Sequence, residues 1–102
     1  MALLYVTEFE SLTQTNESGD AQDPRCAPVV DQTPVAIAGS SNFSVAFGPT
    51  TKFVRLHCDA ICSIKFGFNN PNVTAANMRM AGSQTEYFGV QPGMQVAVIS
   101  NT

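Results

Sequence analysis

The sequence predicts an all-β fold, an antiparallel β-sandwich of jelly-roll-like pattern preceded by an extended N-terminal arm. Three observations predict it. Apolar and polar residues alternate at period two from Thr51 to Phe68 and again towards the C-terminus. Short segments of this kind recur seven or eight times at roughly 8 to 12 residue spacing. Clusters of Gly, Pro and Asn separate them, and no long stretch has a helical period. The length of 102 residues allows one domain, able to bury about 60 to 65% of its unfolded surface.

In chain order, Ala2 to Leu12 (ALLYVTEFESL) reads as an extended strand or arm, with a weak amphipathic helix as the alternative. Thr13 to Asp23 is polar, turn-rich and aperiodic, which marks a linker. Pro24, Pro28 and Pro34 keep the following residues extended but out of any central strand. Residues 1–34 are therefore expected to form an arm and linker, and residues 35–102 the sandwich. Six acids stand against Arg25 alone in residues 1–31, a balance of −5, while the remainder carries four bases and two acids, a balance of +2. An acidic arm suits docking on a basic protein surface or on the positive body of a neighbouring copy. Leu3, Leu4, Tyr5, Val6 and Phe9 are its expected apolar anchors at a protein interface.

From Thr33 the texture becomes strand-like. Val35 to Ala38 is a short strand, and Asn42 to Phe47 a second with Phe43, Val45 and Phe47 on one face. Thr51 to Phe68 (TKFVRLHCDAICSIKFGF) is expected to be a β-hairpin at the middle of the sandwich. Val54, Leu56 and Cys58 share one face before Asp59-Ala60, and Cys62, Ile64 and Phe66 share one after it. Asn69 to Asn72 has strong turn chemistry, and Val73 to Asn77 is read as a helical turn. Met78 to Ala81 and Thr85 to Val90 are further strands. Gln91-Pro92-Gly93-Met94 fits a type II turn, in which Gly takes the position of positive φ. Gln95 to Ser100 closes the fold. Its run of Val96, Ala97, Val98 and Ile99 predicts cover on both faces, by the core and by the arm or a neighbour.

The residues that could carry chemistry do not assemble into a catalytic signature. His57, Cys58, Asp59 and Cys62 have metal-ligand side chains, but alternation sends His57 and Cys58 to opposite faces, and paired Cys-x-x-Cys knuckles are missing. Cys58 and Cys62 are read as two small core thiols, with a disulfide between them as the alternative. His57 as a general base or Cys26 as a nucleophile lacks a partner motif in a chain with a single His, so no enzyme, cofactor or metal is expected. His57 is better placed as an exposed strand residue. Tyr87 and Phe88 beside Arg79 suit core and interface more than base stacking, because so little positive charge surrounds them. That shortage of basic residues also disfavours nucleic acid as a partner. No apolar stretch approaches the roughly 20 residues that span a bilayer, so no membrane association is expected. Met1 to Val6 lacks the features of a signal peptide, and three cysteines suit reduced thiols in a cytoplasm.

Three phrases in order, FVRLHCDAICSIKFGF, NNPNVTAANMRMA and TEYFGVQPGMQVAVISNT, give Thr51 to Thr102 a texture that resembles small structural proteins of tailed bacteriophages. The resemblance covers about half of the chain and transfers no binding residue by position. It implies a β-sandwich of the capsid decoration, or cement, type, bound to the outer capsid surface and stabilising contacts between capsomers. The implied partners are the major capsid protein and copies of the chain itself, as dimer or trimer. The implied location is the capsid surface of a virion assembled in a host cytoplasm. A head-to-tail connector, a tail or fibre-base component, or a carbohydrate-binding β-sandwich module are the alternatives.

Overall fold

The computed structural model describes residues 2–10 and 30–101. Among these the regular elements are all strands: β1 (Leu3–Phe9), β2 (Val30–Asp31), β3 (Val35–Ala36), β4 (Asn42–Phe43), β5 (Phe53–Cys58), β6 (Cys62–Gly67), β7 (Met78–Met80), β8 (Thr85–Gly89) and β9 (Gln95–Ser100). They form two antiparallel sheets. The first runs β2-β1-β5-β8, with β3 also paired to β1, and the second runs β4-β9-β6-β7. The β-sandwich expected from the alternation is the fold observed.

Each sheet turns one apolar face inwards. Leu4 and Val6 of β1 and Val54, Leu56 and Cys58 of β5 meet Cys62, Ile64, Met80, Val96 and Val98 from the second sheet, all of them buried. Val35, Ile37 and Phe47 complete the same core. At one end Phe66 lies 5.1 Å from Phe88 and 6.5 Å from Phe47 between ring centroids, a tilted aromatic trio. Such tilted contacts suit the ring quadrupoles better than a face-to-face sandwich.

Several expectations are corrected. Of the two readings given for Ala2 to Leu12, the extended strand is the one observed over Leu3 to Phe9, and it is no free arm, because it has neighbours on both sides. It pairs with β5 through six residues, from Leu4 opposite Cys58 to Phe9 opposite Phe53, and with β2 and β3 on its other edge. Residues 2–9 therefore belong to the sandwich, and the boundary placed at residue 34 does not hold for them. Leu4 and Val6 face the core, and Phe9 is buried against Phe53, so of the five proposed anchors only Tyr5 and, in part, Leu3 reach the surface. β2 and β3 act as one edge strand broken around Pro34, whose missing N–H suits such a break. The linker expected over Thr13 to Asp23, and Cys26, lie outside the described residues.

The Thr51 to Phe68 hairpin is also corrected. β5 and β6 do not pair; Asp59-Ala60-Ile61 carries the chain from the first sheet to the second. In the segment 42–47 only Asn42 and Phe43 pair with β9, and Phe43 and Val45 are exposed while Phe47 enters the core. Val73 to Asn77 is a turn closed by Asn77 N–H donating to the Thr74 carbonyl at 3.0 Å, with no helical element. The turn at Gln91 to Met94 is as expected, with Gly93 at φ 86° and Met94 N–H donating to the Gln91 carbonyl at 3.1 Å.

Candidate interaction surface and buried polar groups

The two outer faces differ. On the second sheet, pairing places Ser63, Gly67, Gln95 and Ala97 outwards, and the chain's own loop 69–77 folds back over them. Ser63 Oγ donates to the Ala75 carbonyl at 3.3 Å, and Asn101 Nδ2 donates to Ser63 Oγ at 2.7 Å. Asn70 N–H donates to Gln95 Oε1 at 2.8 Å, and Pro71 packs so tightly on Gly67 that an added Cβ would meet it at 3.1 Å. Pro71 and Val73 are buried. Asn69 and Asn70 take φ near 60° to reverse the chain here, a conformation that Asn tolerates better than most residues. The predicted second cover over the terminal strand thus exists, but it is this loop rather than the arm or a neighbour.

The outer face of the first sheet is different in kind. Pairing sets Tyr5, His57 and Thr85 in one row, Thr7, Arg55 and Tyr87 in the next, and Phe9, Phe53 and Gly89 in a third. Phe9 and Phe53 stack at 4.7 Å with planes 5° apart, and Tyr87 tilts against both at 6.3 and 6.1 Å. Tyr5 sits 6.3 Å from the His57 ring, whose Nδ1 is 2.7 Å from Thr85 Oγ1. Tyr5 is 40% and Tyr87 55% exposed. Two strand spacings of about 4.8 Å separate β1 from β8, so the two tyrosines stand roughly 10 Å or more apart with Arg55 and His57 between them.

Two polar sites lie inside. Glu8, counted above as an acid of the arm, points between the sheets and is 2% exposed. Its carboxylate accepts from Thr51 Oγ1 at 2.6 Å, Gly48 N–H at 2.8 Å and Gln32 Nε2 at 2.8 Å. Gln32 is fixed in turn by Val45, donating to its carbonyl and accepting from its N–H, each at 3.2 Å. Sequence reading missed this cluster because its members lie 24 to 43 residues from Glu8. The available signal was positional, since Glu8 follows Leu4 and Val6 on the face that alternation turns inwards.

The second site is the pair Cys58 and Cys62, both buried and free. Burial, and then the charge and hydrogen bond of Cys58, push the Cys62 thiol up from 9.0 to about 12. An acid raised in the folded state stabilises below its unfolded value, and that stability is lost as pH rises through the folded one. The urea midpoint is therefore expected to fall between about pH 9 and 12, and to fall less steeply in Cys62→Ala. Equal slopes in the two proteins would refute the assignment.

His57 stands on the outer face and Cys58 on the inner one, so the sequence cluster of metal-ligand types is not brought together. Among the described residues no three or more His, Cys, Asp or Glu side chains are grouped to hold a metal ion. No helix among the described residues is long and apolar enough to cross a membrane. No protein-family model matches the chain, and neither the curated proteins nor the solved structures give a significant match.

Proposed function

We propose that this protein is a virion structural module, a capsid decoration protein that docks on the outer shell through the Tyr5 and Tyr87 region of the outer face of its first sheet. The observation that supports this reading is the asymmetry of the two faces. One sheet is covered by its own loop, while the other presents Tyr5 and Tyr87 around Arg55 and His57. Tyr and Arg are residue types that anchor protein interfaces, Tyr because it brings a large area at the cost of few rotamers and Arg because its planar guanidinium makes several directed hydrogen bonds. A rigid sheet holds them in fixed register. Repetition over a closed shell, as dimers or trimers of the chain, lets modest individual contacts combine through effective concentration.

The same two tyrosines favour a second reading, a carbohydrate-binding module, since exposed rings beside hydroxyl and imidazole groups also suit sugar faces. The test is a Tyr5→Ala/Tyr87→Ala double variant titrated onto purified shells lacking the protein. Binding is expected to weaken at least about tenfold per tyrosine, with the urea midpoint nearly unchanged because both rings are surface groups. Undiminished shell binding by the variant would overturn the docking face. Wild-type protein that ignores shells but is retained on a polysaccharide column would replace the first reading with the second.

A further inference from the structure

We propose that Cys58 and Cys62 are an oxidisable pair that closes a disulfide between the two sheets, a redox staple at the β5 to β6 crossover. Cys58 ends β5 in the first sheet and Cys62 begins β6 in the second, with three residues between them. Both side chains are fully buried and belong to the same core cluster between the sheets. The connection is held on several sides. Asp59 N–H donates to the Leu3 carbonyl at 3.1 Å, Asn101 N–H to the Ile61 carbonyl at 3.2 Å, and Ser83 N–H to the Cys58 carbonyl at 2.8 Å. The two side chains therefore share one stretch of core within a fixed frame, and the bond needs their sulfurs to meet at about 2.05 Å.

Access is through one layer of chain. Cys58 Sγ donates to the Ala81 carbonyl at 2.9 Å, and Ala81, Gly82 and Ser83 are exposed. Ser83 holds φ 60°, a left-handed conformation that costs a non-glycine residue energy, so this turn is a favourable place for local opening. The reaction needs an oxidant, and a low-molecular-weight disulfide such as oxidised glutathione suffices. One cysteine, as thiolate, attacks a glutathione sulfur and expels glutathione thiolate. The other cysteine then attacks the protein sulfur of the mixed disulfide and expels the second. Two protein thiols are oxidised, one disulfide is reduced, and two protons are released.

The experiment uses the full chain carrying Cys26→Ser, so that only the two buried thiols remain, incubated with oxidised glutathione at pH 8. The expected product has lost two hydrogens in intact mass, yields a Cys58–Cys62 linked peptide, and melts about 5 °C higher than the reduced protein. Dithiothreitol reverses all three changes. A mixed disulfide that persists on either cysteine overturns the proposal. So does absence of reaction under conditions in which the urea-unfolded chain is fully oxidised.

Discussion

A chain lacking residues 1–9 is expected not to fold. β1 lies inside the first sheet, and its removal strips β5 of six paired residues while leaving β2 and β3 with no strand to pair with. It also takes Leu4, Val6 and Glu8 out of the interior. Truncating a single buried Leu to Ala costs about 2 to 5 kcal/mol, and an ordinary domain has only about 5 to 15 kcal/mol in total. Losing two core side chains and a central ladder together exceeds that margin. Leu4→Ala alone is expected to remain folded but to lose about 3 kcal/mol, because the cavity is walled by Leu56 and Cys58 on a neighbouring rigid strand. Urea denaturation followed by far-ultraviolet circular dichroism checks both. A truncated chain with a cooperative transition near the wild-type midpoint would restore the arm that the acidic, proline-punctuated sequence predicts.

That misreading shows what local pattern can and cannot carry. Alternation at Val54, Leu56, Cys58 and at Cys62, Ile64, Phe66 correctly marked the inward faces, because burial acts on each strand separately. It did not reveal the partners. A hairpin lays both inward sets on one sheet, whereas a crossover turns them to face each other, and the two write the same pattern on either side of Asp59-Ala60-Ile61. β5 pairs instead with β1 and β8, roughly 50 and 30 residues distant, and no local turn chemistry encodes such choices. The acidic composition of the first 31 residues misled in another way. It assigned the strand Leu3 to Phe9 to a docking arm rather than to the sandwich, and it included Glu8, whose side chain is buried inside the fold. Of the candidate interaction face, Tyr5 and the outward His57 were legible from alternation. Their convergence with Tyr87 required knowing that β8 lies beside β5. The cover over the second sheet was legible only as a need, from Val96-Ala97-Val98-Ile99, since NNPNV reads equally well as a loop in solvent.

Glu8→Ala is the point substitution expected to cost most among the polar residues, about 3 to 5 kcal/mol. The carboxylate is held by donors only, and no basic side chain takes part in its three hydrogen bonds. Removing it leaves the Gly48 N–H, the Thr51 hydroxyl and one Gln32 N–H facing a void between β1 and the 48–51 turn. Among the described residues every buried side-chain nitrogen and oxygen has a partner, and for these three donors that partner is Glu8. Glu8→Gln separates charge from hydrogen-bond pattern. An amide offers one oxygen and one NH2 where the carboxylate offered two acceptors. If its NH2 faces Gln32 it meets another NH2, and Gln32 cannot flip without breaking both of its bonds to Val45. If its NH2 faces the turn it meets the Gly48 N–H, which cannot reverse, although the Thr51 hydroxyl can. One donor-to-donor conflict survives in either orientation, so Glu8→Gln is expected to lose about 1 to 3 kcal/mol and to fall between wild type and Glu8→Ala. Urea titrations of the three proteins at pH 7 give the order directly. Equal stability of Glu8→Gln and wild type would show that acceptor geometry at this site is not what fixes β1 to the 48–51 turn.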